Sequence, residues 1–192
     1  MSEFSKSLQE TIKVLTSLEE LEPALARAVD MCAACLKNGG KLLICGNGGS
    51  AAEAMHLTGE LVGRYKKDRG PLAAISLGTD PALMTCIGND YSYDDVFSRQ
   101  LIALGRQGDV LIAFTTSGRS PNVLRALKEA NTLGIESIAF LGKDGGPARE
   151  LATEALVVRH VDTARIQEGH QFLMHSFMDL LEVEVAESST NR

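Results

Sequence analysis

Hydrophobic positions along the chain recur at two different spacings. Residues 4 to 17 place Phe4, Leu8, Ile12 and Leu15 on one stripe, which predicts an amphipathic helix. Glu22-Pro23 opens a second helix, since proline is tolerated in a first turn. It runs through Ala24, Ala28, Met31 and Cys35 and stops at Asn38-Gly39-Gly40. From Lys41 onward short apolar runs alternate with helical segments. Strands are predicted at 42–45, 72–76, 109–114, 137–141 and 155–158. Between them lie helices from Ser50 to about Tyr65, from Asp80-Pro81 to Ile87-Gly88-Asn89-Asp90, from Asp94 to Leu104, and from Ser120-Pro121 to Leu133-Gly134. Val96, Leu101 and Leu104 are the expected buried positions of the third of these, and 66–71 reads as a charged turn. A last long helix is predicted from about Thr163 to Glu187, burying Phe172, Phe177, Leu180 and Leu181. Strands separated by helices of this length require right-handed crossovers and a parallel sheet, so the fold class is α/β. Two helices before the first strand exceed what one sheet face needs, and the surplus is expected to pack on another subunit.

The chain of 192 residues is long enough for one domain with a full core. The reading is a single domain over 1–192: N-terminal helices to about 38, an α/β core over 39–187, and a loose tail at 188–192. Lys and Arg number 19 against 25 Asp and Glu, a net charge of −6. That balance argues against an electrostatic grip on nucleic acid or on anionic lipid. No apolar run approaches the ~20 residues of a membrane span. The first residues, Met-Ser-Glu-Phe-Ser-Lys-Ser-Leu, show no apolar leader segment, and the expectation is a cytoplasmic protein. Cys32, Cys35, Cys45 and Cys86 are then expected to be reduced. Cys32-Ala-Ala-Cys35 has redox spacing but sits in a helical pattern, and no second pair completes a zinc site of four cysteines. All four read as buried small hydrophobes.

The chain is organised around residues 41–60. Leu42 to Cys45 is a strand, and Gly46-Asn47-Gly48-Gly49 lets the backbone turn and approach a ligand closely. Ser50 with Glu53 has the spacing of a capping box, so a helix is expected to start there. His56 and Glu60 follow at i and i+4 on one helix face. Two readings stand: a surface pair on a capped helix, or two metal ligands beside an anion-binding turn. The loop matches neither the dinucleotide fingerprint nor the P-loop.

A second loop, Thr115-Thr116-Ser117-Gly118-Arg119-Ser120, follows the third strand, with Pro121 at the first helical position. A cap needs one hydroxyl, and this loop has more. Ligands of open parallel sheets bind outside the carboxyl ends of the strands, where both loops lie. Together they point to a phosphorylated small molecule. The last helix puts Gln167, Gln171 and His175 on one stripe. Gly169 inside it costs about 1 kcal/mol relative to alanine, which predicts a close approach by another element. His160 is assigned no role, and that of His170 is open.

These motifs together resemble the sedoheptulose 7-phosphate isomerases, or phosphoheptose isomerases, of the sugar-isomerase (SIS) fold. The resemblance rests on Cys-Gly-Asn-Gly-Gly-Ser at 45–50, His56 with Glu60, Gly88-Asn89-Asp90, residues 115–120, Gly142-Lys-Asp-Gly-Gly146, and Arg165-Ile-Gln-Glu168 with His175. It implies a flavodoxin-like three-layer sandwich, with a five-stranded parallel sheet between helices and extra N-terminal helices. It implies a homotetramer with sites at subunit interfaces, acting on a small-molecule sugar phosphate. The implied reaction takes D-sedoheptulose 7-phosphate to D-glycero-D-manno-heptose 7-phosphate for bacterial heptose biosynthesis. The resemblance implies Zn2+ held by His56, Glu60, Gln167 and His175, another divalent ion being compatible with the same donors. It implies sugar-phosphate binding by Asn47, Gly48, Gly49, Ser50, Glu60, Asn89, Asp90, Thr115, Thr116, Ser117, Ser120 and Gln167. Thr115 stands where many relatives have serine, and Arg119 lies where they vary, its guanidinium expected to add phosphate affinity. Glu60 is expected to be the catalytic base and His175 the acid or proton shuttle. Two alternatives keep the fold: a non-catalytic adaptor of the kind that docks on the replication initiator, and an isomerase of another ketose phosphate.

Overall fold

The computed structural model describes residues 1–189, and the side chains of residues 1–186. Five strands form: β1 (Leu42–Gly46), β2 (Ala74–Ser76), β3 (Val110–Thr115), β4 (Glu136–Gly142) and β5 (Glu154–Val158). All pair in parallel in the order β2-β1-β3-β4-β5. The helices are α1 (Glu3–Ser17), α2 (Glu22–Lys37), α3 (Gly49–Val62), α4 (Pro81–Asp90), α5 (Ser98–Leu104), α6 (Pro121–Leu133), α7 (Ala148–Leu151) and α8 (Thr163–Ser189). The expected parallel α/β sandwich is the one that forms. Every residue of β1 and β3 is buried, because helices cover both faces. Leu42, Ile44, Val110, Ile112, Phe114, Ile138 and Phe140 face α1, α2, α3 and α8. Leu43, Cys45, Leu111, Ala113, Ala139 and Leu141 face α4, α5, α6 and α7.

The strand order decides where a ligand can sit. The chain leaves β1 toward one sheet edge through α3, then returns past β1 to lay down β3. The loops after β1 and β3 therefore splay apart at a topological switch point, where open α/β sheets bind ligands. Among the crossover helices α3 alone lies on the same face as α8. The topology thus sets the two helices that carry the expected ligands side by side.

Local structure departs from the sequence expectations at several points. No capping box forms: the residue before α3 is Gly48 at φ +57, without a side-chain cap. Ser50 and Glu53 are both buried inside α3. The helix starts one residue earlier than expected, at Gly49, so Ser50 lies inside its first turn rather than before it. Helix α3 ends at Val62 rather than near Tyr65, and β2 is only Ala74–Ser76. The segment expected as one helix from Asp94 splits into a 3₁₀ turn at Tyr93–Asp95 and the short α5. Val96 and Leu101 are buried there, but Leu104 is exposed, as are Phe172 and Leu180 on α8. Phe4, Leu8 and Ile12 point away from the core, which α1 reaches through Val14. Residues 188 and 189 of the expected tail continue α8, and 190–192 lie outside the described residues.

Three cysteines are buried as expected, and burial pushes the Cys35 thiol up to about 11 and the Cys45 thiol to about 12. Cys86 departs from the expectation: it is exposed on α4, with its Sγ 3.5 Å from Asp90 Oδ2.

Gly169 behaves as its place in a helix predicts. A Cβ there would fall 2.9 Å from Val158 Cγ1 and 3.5 Å from Val14 Cγ1, so α8 seats directly on β5 and α1. The adjoining Arg165 and Glu168 tie α8 to α1. Arg165 donates to the Ser7 carbonyl and hydroxyl, and Thr11 Oγ1 donates to Glu168 Oε2 at 2.8 Å. Gly169→Ala should gain about 1 kcal/mol of helix propensity and lose about 1–3 kcal/mol to overpacking. The expected outcome is a net destabilisation, read as a Tm lowered by a few degrees in a thermal melt.

Candidate functional site

Helices α3 and α8 run side by side and meet through a ladder of contacts. At the loop end, Gly49 lies against Gln167, where a Cβ would fall 2.2 Å from the carboxamide Nε2. The next rung pairs Glu53 with His170, both buried. Then Gln171 Nε2 lies 3.1 Å from His56 Nδ1 and 3.1 Å from His175 Nε2. Beyond these, the Tyr65 ring stacks on His175, with centroids 5.8 Å apart. Arg69 closes the far end: its Nε donates to the buried Glu182 at 3.0 Å, and its Nη2 to the Glu60 carbonyl at 2.6 Å. The charged turn at 66–71 is therefore a C-terminal clamp on α3, with Glu182 also accepting from the Lys66 and Lys67 amides.

His56, Glu60 and His175 converge in the middle of this ladder. One ligand atom from each lies within 4.8 Å of the others. His56 Nε2 is 3.0 Å from Glu60 Oε1, and the two imidazoles meet edge to face at 5.2 Å. With Gln171 donating to both rings, His56 Nδ1 and His175 Nε2 present lone pairs, and His56 Nε2–H donates to Glu60. Two neutral imidazoles and a carboxylate are the donor set of a borderline divalent ion such as zinc. The residues present fit a metal. The Gln167 carboxamide, on the same helix stripe as His175, lies against Gly49 at the loop end.

The two loops form the other half. Asn47 and Asn122 exchange reciprocal amide hydrogen bonds of 2.9 Å, joining the loop after β1 to the start of α6. Tyr93 donates to Asn47 Oδ1 at 3.0 Å. Gly48 and Gly49 are exposed, whereas Ser50 is buried. In the loop after β3, Thr115 is buried and its Oγ1 lies 3.4 Å from Ser120 Oγ, while Thr116 and Ser117 are half-buried. The Ser117 hydroxyl accepts from the Arg119 amide at 3.2 Å. Gly118, at φ +62, leaves no room for a side chain, since a Cβ would sit 1.9 Å from the Gly145 carbonyl. That contact locks the loop onto the 142–146 turn. Ser120 precedes α6 without a side-chain cap bond, its hydroxyl facing Thr115 instead.

Asn89 and Asp90 end α4, exposed and hydrogen-bonded to each other at 2.8 Å. Among the described residues no hydrogen bond joins them to the two loops. Arg119 pairs with Asp144 at 2.7 Å, so its charge is already engaged. The Gly146 amide, followed by Arg119, holds the Asp144 carboxyl below its usual range. Sequence reasoning missed Asn122, Tyr93 and the Glu53–His170 pair. Only Asn122 had a signal, an amide in the first turn of the helix that the hydroxyl loop opens.

The family model described as SIS domain matches residues 3–142. Phosphoheptose isomerase 1 of Campylobacter jejuni subsp. jejuni is 49% identical over 177 residues, 92% of this chain and 95% of the relative. The solved phosphoheptose isomerase of Neisseria gonorrhoeae superposes with a TM-score of 0.89 at 41% identity, covering 94% of this chain and 97% of that one. That of Francisella tularensis gives a TM-score of 0.90 at 35% identity, covering 95% and 100%.

The reciprocal amide pair yields a prediction. Asn122→Ala leaves Asn47 without its buried partner, at an expected cost of about 1–3 kcal/mol. Denaturant unfolding should show that loss as a lowered midpoint.

Proposed function

The chain belongs to the phosphoheptose isomerases of the SIS domain family, and we propose that it converts D-sedoheptulose 7-phosphate to D-glycero-D-manno-heptose 7-phosphate at the switch-point site. The observation that carries this reading is the convergence of Glu60 and His175, from two helices, on one cluster beside the paired loops. In the proposed arrangement the glycine and hydroxyl loops, Gly48-Gly49 and Thr115 to Ser120, receive the phosphate through backbone N–H groups and hydroxyls. Asn47, Asn89, Asp90 and Gln167 contact the sugar, with Ser50 beneath the first loop.

Aldose–ketose isomerisation moves a proton between C1 and C2. Glu60 takes a proton from C1 of the ketose, and the electron pair forms the C1–C2 double bond of an enediol. His175 hands a proton to O2 and then takes the O1 proton, which restores it as the aldehyde forms. Glu60 returns its proton to C2, leaving the aldehyde at C1 and no net change in atoms. His56 holds the carboxylate in place at 3.0 Å, and Gln171 orients both imidazoles. A divalent metal bound by His56, Glu60 and His175 would polarise the carbonyl and hydroxyl oxygens. Gln167, the fourth ligand by resemblance, would join them from its place beside Gly49 on the same helix stripe as His175. A carboxylate on the metal would be a weaker base, so either Glu60 shifts between the two roles or the metal moves during turnover.

The second part of the proposal is a homotetramer in the cytoplasm with sites at the subunit interfaces. Its support is an apolar face left open in one chain: Phe4 is 77% exposed, Ile12 54% and Phe172 48%. Phe172 lies three residues before His175 on α8, so a partner covering this face would reach the edge of the triad. Among the described residues no helix is long and apolar enough to cross a membrane.

Turnover of sedoheptulose 7-phosphate should disappear on chelation and return with added zinc. Absence of turnover under all conditions would move the weight to a non-catalytic adaptor or another sugar phosphate. Glu60→Gln should abolish turnover while sugar-phosphate binding persists, and full activity in that variant would remove Glu60 as the base. Light scattering should give four times the chain mass; a monomer mass would overturn the tetramer.

A further inference from the structure

One rung of the ladder belongs to neither the loops nor the triad. His170 is fully buried and Glu53 nearly so, at 0% and 6% exposed. His170 Nε2 lies 2.9 Å from the Leu141 carbonyl oxygen. A carbonyl only accepts, so Nε2 carries a proton. Nδ1 faces Glu53 Oε2 at 3.6 Å, and both of these buried atoms lack any other hydrogen-bond partner. A carboxylate oxygen and a bare imidazole nitrogen are both acceptors. Face to face in a dry core they repel, and each left unpaired is costly. The Phe114 and Phe140 rings, centred 6.0 and 6.2 Å from the imidazole, wall off that side. One proton between the two atoms, on either side, converts two unmet acceptors into a single hydrogen bond.

We propose that Glu53 and His170 share this one proton and act as positioning residues, fixing the register of α3 on α8 and so the spacing of His56 and Glu60 from His175. The proposal rests on the reading of the triad as the metal and proton-transfer centre. Its argument is placement. Glu53 lies one turn before His56 on α3, and His170 lies between Gln167 and His175 on α8. Leu141 is the penultimate residue of β4, so the rung ties both helices to the carboxyl edge of the sheet. Without it, the polar contacts left between the helices are those at Gly49, at Gln171 and at the clamp of Arg69 on Glu182. Of these only Gln171 lies among the ligands, and its hydrogen bonds to the two imidazoles move with them.

The test compares Glu53→Gln with Glu53→Ala. Glutamine keeps the length and offers an amide N–H to Nδ1; alanine removes the bond. Zinc affinity is read by competition with a chromophoric chelator, well below the melting temperature. Ring nitrogen and proton shifts of His56 and His175 are read by NMR on the metal-free proteins. E53A should bind zinc at least about tenfold more weakly and shift both rings. E53Q should stay within about threefold of wild type, with both rings in place. A folded E53A with wild-type zinc affinity and unshifted rings would reduce the pair to a stability element. An E53Q as damaged as E53A would refute the shared proton. If E53A does not fold, Glu53→Met, which fills the volume without the bond, takes its place with the same outcomes. A wild type that binds no zinc would sink the metal reading, and the ring shifts would still decide the register claim.

Discussion

The side-by-side packing of α3 on α8 is the constraint on which the rest of the site depends. Each helix alone carries polar groups that a sheet-facing helix ordinarily places in water. Together they bring His56, Glu60, Gln171 and His175 within hydrogen-bonding reach of one another. Such proximity needs small residues where the chains crowd. Gly49 admits the Gln167 carboxamide at one end, and Gly169 lets α8 settle onto Val158 and Val14. At the other end Glu182 is almost fully buried, and a lone charge there would be costly. Arg69 and two backbone amides satisfy it, and the same guanidinium caps α3. Stability and site geometry are therefore set by the same contacts.

The loops serve a different need. An anion bound at a sheet edge needs donors that stay where they are before the ligand arrives. Here rigidity comes from cross-links between successive loops. The Asn47–Asn122 pair joins the loop after β1 to α6, and Gly118 against Gly145 joins the loops after β3 and β4. Tyr93 extends the link toward the end of α4, where Asn89 and Asp90 lie. Preorganised donors of this kind cost no reorganisation at the moment of binding or reaction. The proposed division of labour follows the fold: sheet-edge loops for the phosphate, paired helices for proton transfer.

Much of the fold was legible in the sequence, because period and punctuation are local. The five apolar runs became the five strands, and Asp80-Pro81, Ser120-Pro121 and Gly134 marked helix ends where the structure has them. Expectations failed where tertiary contact overrode a local pattern. Ser50 and Glu53 have the spacing of a cap, yet both turn inward, Glu53 because His170 waits on the neighbouring helix. Phe172 and Leu180 are apolar at helical spacing, yet stay exposed because that face of α8 has no cover within one chain. Cys86 resembles its buried counterparts in sequence and differs from them only in where α4 lies.

The same distinction runs through the site. Residue types and spacings by themselves determined the α/β class, the two ligand-facing loops, the His56–Glu60 pair and the stripe ending at His175, since each is a matter of periodicity within one element. Only the tertiary structure decided that the two helices meet, that Gln171 sits between the imidazoles while Gln167 stands at Gly49, and that Asn122, Tyr93, Glu53 and His170 hold the parts in place. Tyr93 lies 46 positions from Asn47, and Gln171 lies 115 from His56. Their partners are chosen by strand order, which places α3 beside α8 and β1 beside β3, and no local spacing encodes that order.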